Sequence, residues 1–246
     1  MIKQFVALSG LPRTGSTLLS AILSQNPCIH SEGLSAVCHL MWNMQQTVLT
    51  SEEIKTNNKN IINPLVKSIP SIYYADITKP IIVDRCRSWT LPDNIKMLNT
   101  YFDNEPKIIV LVRPLVEVVA SIMFLRKENG WTNLDANLFD EYSNPIMRAL
   151  DGVKWAKNNN NGEFLFITYD ELVNDTQTSI DRIYKHCDWK PFVHNFNNVV
   201  NKHVENDNFY EANLVGLHHI RSTISKRKLN IELSDELINK CKQLDI

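Results

Sequence analysis

The chain has 246 residues, with 26 Lys and Arg against 27 Asp and Glu, for a formal net charge of −1. Hydrophobic residues make up 43% and charged ones 22%, the balance of a folded domain, and the length suits one well-buried core better than two. Near-neutral charge excludes a partner held by diffuse positive potential, such as nucleic acid, but leaves room for a small anion met by a few placed cations.

In chain order, four short apolar runs read as strands: Phe5–Leu8, Pro80–Val83, Lys107–Val112 and Phe164–Ile167. Each is β-branched or aromatic and nearly unbroken, the pattern of strands covered on both faces of a parallel sheet. Helix-period segments separate them. Thr17–Gln25 carries Leu18, Leu19, Ile22 and Leu23 at helical spacing, and Leu34–Leu49 and Pro114–Lys127 read similarly. Leu138–Ala156 is a longer candidate interrupted by Pro145, and Asp235–Leu244 follows Ser234 as N-cap. The alternation predicts a three-layer α/β/α fold with a central parallel sheet, residues 1–246 forming one domain. The Asn-rich stretch from Asn195 to Asn213 has little periodicity and is expected to wrap the surface.

Five scattered cysteines, with no C-x-x-C pair, read as reduced thiols, and no metal site is expected. The first apolar run is too short for a signal peptide, and no run of about 18 apolar residues could form a membrane anchor. A cytoplasmic protein with no membrane partner is expected.

The strongest local motif is Gly10-Leu11-Pro12-Arg13-Thr14-Gly15-Ser16-Thr17, between the first strand and an apolar helix. Two glycines five apart let backbone N–H groups turn inward, and the helix N-terminus and hydroxyls add donors for an anion. The spacing is that of a P-loop, so the expected fold is like that of the P-loop nucleotide triphosphate hydrolases. Ser16, however, replaces the lysine that would meet the β- and γ-phosphates, and the cation sits at Arg13 instead. A second anion site is read at Arg113, ending the third strand. Ser121 lies two helical turns, about 10 Å, beyond the helix start at Pro114.

Pro12-Arg13-Thr14-Gly15-Ser16-Thr17-Leu18-Leu19 resembles the 5′-phosphosulfate loop of the sulfotransferases, P-[KR]-[ST]-G-[ST]-[ST]. The Arg113…Ser121 pair matches the spacing of the family's 3′-phosphate site. Phe164–Leu172 resembles the strand whose tyrosine, here Tyr169, lies close to the nucleotide. The resemblance spans roughly Phe5 to Leu172. It implies 3′-phosphoadenosine 5′-phosphosulfate as donor, bound by Arg13, Thr14, Gly15, Ser16, Thr17, Arg113, Ser121 and Tyr169. The acceptor would be a hydroxyl on a small molecule, carbohydrate or peptide, and the pattern is nearest the tyrosylprotein and carbohydrate branch. Arg221–Lys228 is the only candidate for the late basic loop of relatives, and its charges read first as a solvated turn.

Sulfuryl transfer requires positioning, charge stabilisation and a base for the hydroxyl proton. Arg13 and Arg85 are the cations expected at the sulfonate. Glu32 is the first candidate base by resemblance to an acidic segment of the tyrosylprotein branch, with His30 and His39 as alternatives. Trp42, Met41, Met44, Trp131 and Phe139 are candidates for an apolar acceptor pocket or for core. Pro80–Asp84 also reads as a Walker-B strand whose aspartate would hold Mg²⁺. That reading leaves a P-loop kinase using Mg-ATP as the alternative, and a nucleotide-binding module without turnover as a third.

Overall fold

The computed structural model describes residues 2–57, 60–102, 105–140, 145–203, 205–209 and 214–245. Five strands are described: β1 (Gln4–Gly10), β2 (Ile29–Leu34), β3 (Ile81–Arg85), β4 (Lys107–Val112) and β5 (Phe164–Thr168). Among the helices, α1 (Ser16–Leu23), α2 (Val37–Thr50), α3 (Glu52–Thr56), α4 (Ile62–Tyr73) and α5 (Pro92–Tyr101) precede β4. After it come α6 (Leu115–Glu128), α7 (Pro145–Asn158), α8 (Tyr169–Asn174), α9 (Thr176–His186) and α10 (Asp235–Leu244).

All four strand pairings are parallel, in the order β2-β3-β1-β4-β5. Alternate residues of each strand enter different cores. Ala7, Ile82, Ile108 and Val110 join a cluster with residues of α2, α5, α6, α7 and α10. Val6, Leu8, Val83, Ile109 and Leu111 join another, with residues of α1 and α9 and with Trp189 and Val199. Both faces are therefore dry, which is why the strands read as unbroken apolar runs rather than alternating ones. The expected three-layer arrangement is the observed one.

All four expected strands and the helices α1, α6 and α10 lie within two residues of their expected bounds, while α2 and α7 differ at their starts. The α2 helix begins at Val37 rather than Leu34, because Ile29–Leu34 forms the edge strand β2. That strand, IHSEGL, hides among polar residues. Only its first half is fully buried, and its pairing with β3 shifts register between Ser31 and Leu34. The helix expected over Leu138–Ala156 is described from Pro145, which opens it instead of interrupting it; 141–144 lie outside the described residues. The first of the five thiols, Cys28, is exposed and the other four are buried, all of them free.

This topology positions a site. The connection from β1 leads to one side of the sheet and that from β4 to the other, so a crevice opens between the C-terminal ends of these neighbouring strands. The motif loop starts there. Leu11 N donates to the Leu111 carbonyl at 3.2 Å, and Gly10, at φ 130°, lies so close that a Cβ would stand 2.0 Å from the Leu111 oxygen. Gly10→Ala is therefore expected to destabilise the fold by about 3 kcal/mol or more, through backbone strain and steric overlap. Urea denaturation measures it, and an unchanged midpoint would contradict the close approach.

Candidate active site

The loop after β1 is a left-handed turn. Arg13 has φ 63° and Gly15 φ 85°, and Gly15 is the N-cap of α1 with no side-chain cap, leaving the first helical N–H groups to face the crevice. A non-glycine residue held left-handed is the strain expected where a side chain must be aimed. Two contacts hold Arg13 in place. Its Nε donates to Ser121 Oγ at 3.2 Å, and its Nη1 donates to the Leu217 carbonyl. Burial, then the neighbouring Arg113, pushes its guanidinium down to about 10, which leaves it charged at neutral pH.

Arg113 closes the loop from β4. Its Nη1 donates to the Arg13 carbonyl at 3.0 Å, its Nε meets Glu117 at 3.0 Å, and its guanidinium lies 4.1 Å over the Tyr169 ring. Tyr169, the first residue of α8, also lies beside Gly15, where a Cβ would come within 3.2 Å of the ring. Thus Arg13, Gly15, Arg113, Ser121 and Tyr169, scattered over 157 positions of the sequence, form one cluster. Thr14 serves the loop itself, donating to the Leu11 carbonyl at 2.7 Å. Thr17 Oγ1 accepts from Arg85 Nη1 at 3.2 Å, so Arg85 joins the same wall from the end of β3.

These groups line a cavity of about 790 Å³, within the range of small-ligand sites. Among the described residues its wall carries seven arginines and no carboxylate. Ser16, Thr17 and Ser121 add hydroxyls. The late basic segment is part of it: Arg221 and Arg227 line the cavity, Arg227 lies 4.2 Å over Phe124, and Lys226 pairs with Asp170 at 2.7 Å and Glu117 at 3.2 Å. These charged side chains stay exposed, so the segment is a solvated turn that also forms part of the cavity's rim.

Other expectations land elsewhere. Glu32 sits on β2 and is absent from the wall. Its carboxylate lies 3.2 Å from His30 Nε2 and 3.8 Å from His203 Nδ1, and the contact with His30 holds it below the usual carboxylate range. His39 is exposed on α2. Of the apolar candidates Trp131 lines the cavity, Met41 is fully buried, and Met44 and Phe139 pack against the core. Sequence reasoning missed Glu205, Asp207 and His218. Glu205 pairs with Arg85 at 3.3 Å, and His218 lies in the cavity wall. The stretch carrying the two acids is aperiodic, and their only signal is their nearness in an Asn-rich segment; 204 and 210–213 lie outside the described residues.

Asp84, the Walker-B candidate, is fully buried and accepts three hydrogen bonds, from Ser35 Oγ (2.5 Å), Trp89 Nε1 (2.6 Å) and Tyr74 OH (2.7 Å). Burial pushes its carboxyl up and these donors pull it back. No group of three His, Cys, Asp or Glu able to hold a metal occurs among the described residues.

A family model of the sulfotransferase family matches residues 6–192, and the chain belongs to that family. Its fold is similar to the sulfotransferase domain of the Synechococcus PCC 7002 olefin synthase, at 15% identity and a TM-score of 0.56 over 98% of this chain and 94% of that one. It is similar also to the sulfotransferase domain of the curacin biosynthetic pathway, at 18% identity and TM-score 0.52 over 99% and 98% of the two chains. A sulfotransferase from Alicyclobacillus acidocaldarius aligns at 12% identity and TM-score 0.53, over 79% of this chain and 84% of that one. No curated protein matches the chain.

The enclosure of Asp84 yields a test. Asp84→Asn turns an NH₂ towards either Trp89 Nε1 or the Ser35 and Tyr74 hydroxyls and is expected to cost about 2–4 kcal/mol of stability. In thermal melts, Mg²⁺ or a chelator should leave wild type unmoved; a Mg²⁺-dependent shift abolished by the substitution would return Asp84 to the metal role.

Proposed function

We propose that the chain transfers a sulfuryl group from 3′-phosphoadenosine 5′-phosphosulfate to a hydroxyl acceptor by in-line displacement, with no metal. The carrying observation is the cationic cavity at the β1/β4 crevice, lined by no carboxylate among the described residues and built on the motif loop of a sulfotransferase-family chain. The donor has two anionic ends, and two groups of cations and hydroxyls suit them. Arg13, Ser16 and Thr17, with the N–H groups after Gly15, are proposed for the phosphosulfate, and Thr14 holds the loop in shape. Arg113 and Ser121 are proposed for the 3′-phosphate, with Tyr169 beside the nucleotide. Arg85 is the proposed second cation at the sulfonate. Because guanidiniums do not readily give up a proton, Arg13 and Arg85 act by charge and fork geometry. Charge accumulating on the sulfonate and leaving oxygens is met by donors already in place.

Glu117 belongs to this account. It pairs with Arg113 Nε and with Lys226, so a phosphate arriving at Arg113 competes with it for that cation. The Mg-ATP alternative is disfavoured by Ser16 in the lysine position and by the closed hydrogen-bond shell of Asp84. The site draws on residues from Arg13 to Arg227, which supports treating 1–246 as one domain. The acceptor belongs to the hydroxyl-bearing class, whether small molecule, carbohydrate or peptide. No described helix is long and apolar enough to cross a membrane; five free thiols support the cytoplasm as the proposed compartment.

Arg113→Ala should weaken binding of 3′-phosphoadenosine 5′-phosphate by about tenfold or more, the scale of a lost charge-assisted contact, while binding of adenosine 5′-monophosphate changes little. Calorimetric titration of both nucleotides decides it. Equal losses would remove the 3′-phosphate from Arg113.

A further inference from the structure

The donor's proposed partners leave part of the cavity wall unassigned. Past Ser121 that wall continues along α6 with Ile122, Leu125 and Arg126, and Trp131 and Leu138 follow from the loop after the helix. Between Ile122 and Leu138 in sequence, Arg126 is its one charged residue. Arg126 lies five residues beyond Ser121, about 7.5 Å along the helix axis. The stretch offers a mostly apolar surface with a single cation.

That cation is oriented but not neutralised. Its Nη1 donates to the carbonyls of Leu134 and Ala136, each at 2.8 Å, and its guanidinium lies 4.8 Å from the centre of the Trp131 ring. Trp131 N donates back to the Arg126 carbonyl at 3.0 Å, so the same residue shapes the loop. Its Nε is buried with no hydrogen-bond partner. Arg85, Arg113 and Arg227 of the same wall have carboxylates at 3.3, 3.0 and 4.0 Å, whereas no carboxylate of the described residues lies that close to Arg126. Burial holds its guanidinium below the ordinary value, against the field of Asp135. Arg13 is in the same condition, desolvated and held by neutral oxygens, and it stands where the donor's sulfonate is proposed. A desolvated cation without a counter-ion is costly, and an arriving anion relieves that cost.

We propose that Arg126 is a specificity-determining residue, and that the acceptor is a hydroxyl on an apolar body that also carries a carboxylate. The proposal rests on the sulfuryl-transfer reading and narrows its acceptor. The apolar body packs on Leu125, Trp131 and Leu138, the carboxylate meets the guanidinium, and the hydroxyl extends towards Arg13 and Arg85 at the sulfonate. Arg126 forms no bond to the reacting atoms. Its part is to fix one end of the acceptor so that the other is held for attack, with neutral carbonyls already setting the orientation of the guanidinium.

The test uses para-hydroxyphenylpropanoate and ω-hydroxydecanoate, each beside its methyl ester, with 3′-phosphoadenosine 5′-phosphosulfate as donor. Thermal shift with 3′-phosphoadenosine 5′-phosphate is measured first on wild type, Arg126→Gln and Arg126→Lys, and stabilisation is expected in all three. Wild type should then show kcat/KM at least about tenfold higher for one of the acids than for its ester, the scale of one charge-assisted contact. Arg126→Gln should lose at least about tenfold more on that acid than on its ester, in KM rather than kcat, and Arg126→Lys should recover part of the preference. Loosening of the loop alone would lower acid and ester alike. Equal use of acid and ester by wild type, equal losses in Arg126→Gln, or turnover of neither acid overturns the assignment. Absence of stabilisation in wild type overturns the donor reading instead. Should Arg126→Gln fail to fold, the wild-type ratio of acid to ester decides: about tenfold or more supports the role of Arg126, and a smaller ratio overturns it.

Discussion

Three guanidiniums held at the C-terminal ends of neighbouring parallel strands are the constraint from which the rest of the site follows. Gathering Arg13, Arg85 and Arg113 around one crevice is unfavourable twice over, through desolvation and mutual repulsion. The fold offsets each of them separately. Arg113 has Glu117 one helical turn into α6, Arg85 has Glu205, and Arg13 has neutral oxygens, from Ser121 and the Leu217 carbonyl. The carboxylates stand behind the arginines and not in the cavity wall, which stays cationic for an anion.

That arrangement explains why the C-terminal third is drawn across the sheet's edge. Little regular structure is described between α9 and α10, yet Glu205, Asp207, His218 and Lys226 of this stretch are tied to the site. Glu205 lies over Gly33, where a Cβ would come within 2.3 Å of its carboxyl carbon, and fixes the end of β2 through Leu34 N. Asp207 holds Gly216 and His218, and Lys226 ties the basic segment to α6 and α8. A segment with little apolar periodicity is held by these charge-assisted hydrogen bonds together with Val199, Ile220 and Ile224, which join the core under α1 and α9.

Beneath the site, Asp84 shows how a motif can mislead when its surroundings are unseen. A strand of β-branched residues ending in aspartate suits a metal-binding carboxylate. Here Ser35, Tyr74 and Trp89, from three other parts of the chain, surround it and give it a structural task. The next residue, Arg85, faces the cavity because successive strand residues point to opposite faces.

By itself the sequence determined the local chemistry. Continuous apolar runs foretold a sheet covered on both faces, and the loop from Gly10 to Thr17 foretold an anion site, because turn geometry and helix N-termini are set by neighbouring residues. The Arg113…Ser121 spacing was legible for the same reason, both lying on one strand–helix unit. Only the tertiary structure decided which groups meet. The edge strand β2 owes its existence to pairing with β3, the enclosure of Asp84 depends on donors brought together from the end of α4, the turn after β3 and the remote Ser35, and Glu205 of an aperiodic segment is fixed by Leu34 and Arg85, far away in sequence. Net charge of −1 could not reveal a cavity lined by seven arginines, because carboxylates elsewhere in the chain cancel them in the sum.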